Sequence, residues 1–216
     1  MIYDESTWDA ILKIKTGGRD DTSADQYRYP YEPTPYCVLE HLKDYGLIGK
    51  DDVILDYGCG KGRVGFFLFH QTKATAIGID YDERMYQSAL ENQRTADPGA
   101  RSAFVLTKAE EYDVPLNVNR CYFFNPFSVE LLRKVMARIV ESYYAKPREI
   151  LLFFYYPSDE YMCYLMTVEE LEFYDEIECG DLFDGSDLRE RIMIFELPCY
   201  DTENEFENGL QKEAYK

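Results

Sequence analysis

Between Asp52 and Tyr57 the chain reads DVILDY and then passes directly into Gly58-Cys59-Gly60-Lys61-Gly62. A short, almost continuous apolar run is the pattern of a strand buried on both faces. Glycines placed straight after it let the backbone turn tightly and approach a neighbour that a Cβ would exclude. A helix that starts there presents free N–H groups to whatever lies in front of it. The architecture that places a doubly buried strand before such a loop is the parallel sheet with helices on both faces.

The rest of the chain reads the same way. Thr34-Pro35 has the form of an N-cap followed by a first-turn proline, with Val38, Leu39, Leu42 and Tyr45 at helical spacing and Gly46 as the stop. After the glycine loop, a short helix from Arg63 to His70 leads to a strand at Thr75 to Asp80, a helix at Asp82 to Thr95 ended by Pro98-Gly99, and a third strand near Ala103 to Leu106. A fourth strand, Cys121 to Asn125, stops at Pro126; Val129, Leu132, Val135, Met136, Ile139, Val140 and Tyr143 then mark the buried stripe of a long helix. Ile150 to Tyr156, Leu171 to Glu178 and Arg191 to Leu197 complete seven strands. Only about a dozen residues join the last two, too few for a helical crossover, so they are expected to pair antiparallel. The expected fold is therefore α/β: a Rossmann-like, seven-stranded, mostly parallel sheet with a terminal antiparallel hairpin and helices on both faces. It divides into an arm or lid at 1–33, the domain itself at 34–198 and a loose acidic tail at 199–216.

Charge narrows the partners. The 216 residues carry 41 acidic against 23 basic side chains, a net charge of −18, and such a surface repels phosphate backbones. The one basic cluster is Arg133, Lys134, Arg138, Lys146 and Arg148, while the segment 159–187 holds eleven acidic residues and no Lys or Arg. The start of the chain lacks the basic and apolar stretches of a secretory signal and no 18-residue apolar run occurs, so a cytoplasmic protein without a membrane span is expected. The six cysteines form no CxxC pair and no zinc spacing with His; they read as reduced core residues, and no metal is expected. Four of the 20 tyrosines, Tyr27, Tyr29, Tyr31 and Tyr36, crowd beside prolines in the arm, as a lid over a ligand or as packing.

Asp56 stands two residues before the first glycine and Asp80 closes the next predicted strand, where a carboxylate can accept hydrogen bonds from both hydroxyls of a ribose. Dinucleotide folds space their glycines GxGxxG; here the spacing is GxGxG, with Arg63 at the third dinucleotide position. VILDYGCGKG followed by AIGID resembles the first two motifs of the class I S-adenosylmethionine-dependent methyltransferases, and the resemblance runs from Thr34 to Leu197. It implies that Gly58, Gly60 and Gly62 line the methionine part of S-adenosylmethionine, that Asp56 helps to bind its amino group, that Asp80 holds the ribose and that Tyr81 lies against the adenine. After the third strand the family has an acceptor for the adenine amine; in Thr107-Lys108-Ala109-Glu110 that role falls to Glu110 or to the backbone at Ala109, because a lysine cation cannot accept.

Asn125-Pro126-Phe127 places an amide, a rigid turn and an aromatic at the carboxyl edge of the sheet. It resembles a shortened form of the Asn-Pro-Pro-aromatic motif of amino-methyltransferases, which implies that Asn125, Pro126 and Phe127 hold the acceptor; the Thr34-Pro35 helix start resembles the same subgroup, with Thr34 near the cofactor carboxylate. The turn is equally an ordinary helix start capped by Ser128. Methyl transfer from a sulfonium needs alignment rather than a metal or a covalent nucleophile, and His41 and His70, both in predicted helices, offer little to a hydrolase. Transfer to a nitrogen of a small molecule or protein side chain is the first expectation. Adenine amino-methylation in nucleic acid, an NAD-dependent oxidoreductase and a noncatalytic cofactor-binding protein are the alternatives.

Overall fold

The computed structural model describes residues 4–96, 102–185 and 187–199. Its strands are β1 (Val53–Tyr57), β2 (Thr75–Asp80), β3 (Ser102–Leu106), β4 (Arg120–Phe124), β5 (Ile150–Tyr155), β6 (Glu172–Glu178) and β7 (Arg191–Leu197). Its α-helices are α1 (Glu5–Leu12), α2 (Tyr36–Tyr45), α3 (Arg63–Thr72), α4 (Glu83–Thr95), α5 (Val129–Ala145) and α6 (Asp159–Leu165). The sheet order is β3-β2-β1-β4-β5-β7-β6. β1 to β5 pair in parallel, and β7 enters antiparallel between β5 and β6, so the terminal hairpin forms with its second strand inside and its first at the edge.

Alternation along the strands builds two cores. Ile54, Tyr122, Leu151, Phe153, Tyr155, Ile192 and Ile194 face one side, where α1, α2 and α3 contribute Trp8, Leu12, Leu39, Leu42, Phe67 and Leu68. Leu55, Tyr57, Cys121, Phe123, Leu152, Phe154 and Phe195 face the other, against Leu132, Val135, Met136 and Ile139 of α5 and Tyr161 and Leu165 of α6. Register places Tyr57 beside Phe123 and Phe123 beside Phe154, and the rings stack with centroids 4.6 Å apart in each pair. Such pairs add about 0.5–1.5 kcal/mol each beyond the area they bury.

Two local expectations are corrected. Thr34 does not cap α2: the cap position is Pro35, without a side-chain bond, and the Tyr36 N–H instead donates to Glu5 Oε1 of α1 at 2.9 Å. The Thr34 hydroxyl meets Tyr122 Oη at 3.1 Å. The cysteines are not uniformly core residues, for Cys163 and Cys199 are exposed and Cys37 is half-buried. In the arm, α1 carries Trp8 and Leu12 into the first core. The Pro98-Gly99 stop and nearly all of the predicted tail, 200–216, lie outside the described residues.

Candidate functional site

The crossovers leave β1 towards β2 and β4 towards β5, so their carboxyl ends part and open a crevice where parallel α/β sheets bind ligands. A cavity of about 950 Å³, its open mouth included, fills this place. β1 and its loop contribute Asp56, Gly58 and Cys59; β2 contributes Ile79 and Asp80, followed by Tyr81; β4 contributes Tyr122 and Phe124, followed by Pro126; and the arm roofs the space from Asp20 to Thr34.

Two carboxylates lie at its floor. Asp56 is 3% exposed, and its Oδ2 is buried without a hydrogen-bond partner. Burial, with the negative charge of Asp80 added, pushes its pKa up to about 8. Asp80 is raised to about 6, chiefly by burial, against the opposing effect of backbone N–H donors. Its Oδ2 accepts from the Gly60 N–H at 2.8 Å and its Oδ1 from the Asp82 N–H at 2.9 Å, so this side chain ties the tip of the glycine loop to the end of β2. Two buried acids with no cation beside them suit a ligand that brings positive charge and hydroxyl donors.

The glycines of the loop have neighbours of their own. A Cβ on Gly58 would lie 2.8 Å from Pro126 Cβ, and one on Gly62 would strike the Phe104 ring at 2.6 Å. At Gly60, with φ +54°, a Cβ would fall 2.1 Å from the ring of Tyr31. Of the three, only Gly58 borders the cavity; Tyr31 covers Gly60, its hydroxyl donating to the Thr16 carbonyl at 2.6 Å. Gly60→Ala is therefore expected to destabilise the free protein by about 1–3 kcal/mol, from the left-handed backbone and the overlap together. Chemical denaturation measures it, and adding Tyr31→Ala should return part of the loss.

Among the remaining predicted residues, Tyr81, Ala109 and Glu110 line the cavity together. Glu110 Oε1 accepts from Arg28 Nη2 at 2.7 Å, while its Oε2 is buried and unpartnered. Lys108 is exposed and pairs with Glu111 at 2.8 Å. Thr34 lines the cavity as well. The Asn125-Pro126-Phe127 turn differs from expectation: Phe127 is not an exposed aromatic but is 4% exposed, its ring packed edge-on to Phe123, and its carbonyl accepts from Tyr161 Oη. The Pro126 carbonyl already accepts the Tyr29 N–H at 3.2 Å, which leaves it one lone pair. Asn125 sits at φ +40° with Oδ1 buried and unpartnered; it flanks the cavity wall without forming part of it. Asp159 is the exposed first residue of α6, whose N-cap is Ser158.

Arg63 and Arg28 escaped the sequence reading. Arg63 is 3% exposed, donates to Thr16 Oγ1 at 2.7 Å and to the Thr34 carbonyl at 3.0 Å, pairs with Glu5, and lies 4.2 Å from the centre of the Tyr36 ring. It fastens the arm to the first turn of α3. A cation at a helix N-terminus opposes the helix dipole, and that misfit was the available signal. Among the described residues no group of His, Cys, Asp or Glu is placed to hold a metal ion, and no helix is long and apolar enough to cross a membrane.

A family model described as a methyltransferase domain matches residues 48–138, which hold β1 to β4 and the glycine loop. A protein-lysine N-methyltransferase of Saccharolobus islandicus is 28% identical over 88 residues, 39% of this chain and 53% of its own length. A ribosomal protein L11 methyltransferase of Chromobacterium violaceum is 34% identical over 87 residues, 39% of this chain and 28% of its own. The chain thus spans about half of one relative's length and under a third of the other's. Among solved structures, a putative methyltransferase from Escherichia coli aligns over 85% of this chain and 100% of that one, with a TM-score of 0.57 at 16% identity. An RNA methyltransferase from Salinibacter ruber in complex with S-adenosyl-L-homocysteine aligns over 79% and 95%, with a TM-score of 0.53, also at 16% identity. The glycine loop, the paired aspartates and this strand order thus occur together in a chain that has the Rossmann-like fold of methyltransferases and that matches a methyltransferase domain over 48–138.

Proposed function

We propose that this protein transfers a methyl group from S-adenosylmethionine to a nitrogen of a small molecule or a protein side chain. The observation that carries the reading is the buried, unpartnered Asp56 Oδ2 beside Asp80 at the carboxyl ends of β1 and β2. These residues fit the cofactor. Asp56 would take its ammonium group, Asp80 its ribose hydroxyls, and Tyr81 with Ala109 and Glu110 its adenine, while Gly58 admits close backbone approach. The chemistry the cofactor supplies when bound is a methyl group on a sulfonium, activated for in-line displacement.

The chain's part is alignment and exclusion of water. The arm roofs the cavity, and Tyr122 and Phe124 wall its acceptor side. At the turn after β4, the Pro126 and Phe127 carbonyls bond to the arm and to α6, while Asn125 Oδ1 and Ser128 Oγ are buried polar atoms without a partner. Asn125 would receive an N–H of the acceptor and aim the nitrogen lone pair at the methyl group. The two curated relatives described above are named for protein acceptors, which agrees with a protein side chain. A nucleic-acid acceptor fits less well: Arg148 is spent on the carbonyls of Val118 and Ser142, Arg138 pairs with Asp113 and Glu141, and Arg133 stacks on Tyr164.

Titration calorimetry with S-adenosylmethionine and, in parallel, NADH tests the assignment. Asp80→Ala should weaken S-adenosylmethionine by about 1–3 kcal/mol, the worth of charge-assisted bonds to buried hydroxyls. Asp80→Asn should cost less, since an amide still accepts one bond. Tight NADH binding with no response to S-adenosylmethionine would transfer the site to a dinucleotide.

A further inference from the structure

Arg28 belongs to no motif, yet it sits at the base end of the cavity. Its Nη2 donates to Glu110 Oε1 at 2.7 Å, and its guanidinium carbon lies over the Tyr81 ring, 4.8 Å from the centroid. Both partners of the ion pair are mostly buried, with side-chain exposures of 16% and 14%, so the pair is not the weak surface kind that solvent screens away. Tyr81 and Glu110 are the side chains to which the adenine was assigned, and Arg28 now occupies one face of the first and one oxygen of the second.

The backbone around Arg28 is held elsewhere. Arg28 forms an antiparallel bridge with Phe127, the Tyr29 N–H donates to the Pro126 carbonyl at 3.2 Å, and the Ser128 N–H donates to the Tyr27 carbonyl at 2.7 Å. Three consecutive arm residues are thus stitched to the turn that presents Asn125, while the middle one reaches the base end with its side chain. A base stacking on the covered face of Tyr81 has to move the guanidinium, and the guanidinium is tethered to that turn by its own backbone. The opposite end of the arm is anchored independently by the Asp20 to Tyr31 bridge and by Arg63, and between the two ends Ser23 accepts from Arg84 Nη2 at 2.7 Å and from the Tyr81 hydroxyl, which ties the arm to the same aromatic ring.

We propose that Arg28 is a cofactor-site residue supplied by the arm, and that 27–29 form a strap tying occupation of the adenine end of the cavity to the setting of the acceptor turn at 125–128. The inference rests on the cavity being the S-adenosylmethionine site. Cofactor and acceptor then do not bind independently: the base, once seated, is clasped between Arg28, Tyr81 and Glu110, and the strap orders the turn that meets the acceptor. By linkage, each then tightens the binding of the other by the same factor.

S-adenosylhomocysteine and adenosine are the probes. In the wild type, S-adenosylhomocysteine should slow amide exchange in both 21–34 and 125–128. Arg28→Ala should speed its dissociation by about tenfold or more, the factor carried by a charge-assisted bond, and should abolish the added protection at 125–128. Arg28→Lys should restore only part of either effect, since a lysine keeps the charge and loses the planar face. Adenosine, which lacks the amino-acid end, should weaken in Arg28→Ala by the same factor, whereas a general loosening of the arm would reduce S-adenosylhomocysteine binding alone. Unchanged dissociation, or protection at 125–128 equal in the variant and the wild type, overturns the strap. Should Arg28→Ala fail to fold, absence of ligand-induced protection at 125–128 in the wild type overturns it equally. A wild type that binds NADH and no S-adenosylhomocysteine overturns the reading beneath it.

Discussion

Asp56→Asn is expected to stabilise the free protein at pH 8 while removing most of its affinity for S-adenosylmethionine. Burial, and secondarily the charge of Asp80, raises the Asp56 carboxyl from 3.8 to about 8. Between those values the folded chain keeps a proton that the unfolded chain releases, so stability falls as pH rises through the window and levels off above about 8. Asparagine has the shape of the protonated acid and no proton to lose. The variant should therefore gain about 2–4 kcal/mol over the wild type at pH 8, a conservative share of the 1.36 kcal/mol that each pH unit carries, and nothing near pH 4. Part of the slope should survive below pH 6, because Asp80, raised to about 6, acts in the same direction.

Ligand binding should show the mirror image. An ammonium group favours the ionised carboxylate, so wild-type affinity should rise from pH 6 to 8 with release of up to one proton, seen as a buffer-dependent heat in calorimetry. In the variant that dependence should vanish and affinity should fall about ten- to a hundredfold, as for a lost charge-assisted bond. A variant less stable than the wild type at every pH would show Asp56 to be a structural acceptor and would remove the main support for a cationic ligand.

Asn125→Asp carries the other large effect. Asparagine and aspartate both tolerate the left-handed backbone that φ +40° imposes, so this change tests the side chain without straining the turn, which alanine would do. An ionised carboxylate beside the acceptor nitrogen holds it in its charged, non-nucleophilic form. Transfer to the true acceptor should drop about ten- to a thousandfold, while S-adenosylmethionine affinity stays within about threefold, because the lost interaction is felt in the transition state. Equal loss of thermal stability and cofactor binding would make Asn125 a turn residue and nothing more.

The strands were legible because each is a short apolar run whose period and length are local properties. β2 and β7 were predicted to their end residues and the others to within one. The antiparallel pairing of β6 and β7 was legible from the length of one connection, though not the position of β7 inside β6. The glycine loop and the two aspartates could be read because a tight turn after a strand demands specific residue types at fixed offsets. Where the reading failed, it took a local pattern as sufficient. Thr34 has every local mark of a cap, yet a carboxylate 31 residues away caps the helix instead. Phe127 stands where an exposed aromatic was expected, and α5 and α6 enclose it.

The sequence by itself therefore determined the α/β class, the strand that meets the loop and the places of Asp56 and Asp80 near the ends of β1 and β2, since periodicity, turn residues and charge act over a few residues. Only the tertiary structure decided what stands over that loop. Tyr31 against Gly60, Arg63 on Thr16 across 47 residues and Arg28 on Glu110 across 82 are contacts with no local signature. Their partners meet because burying the two faces of the sheet brings the arm across the carboxyl ends of its strands, and a side chain's role there is set by what the fold places beside it.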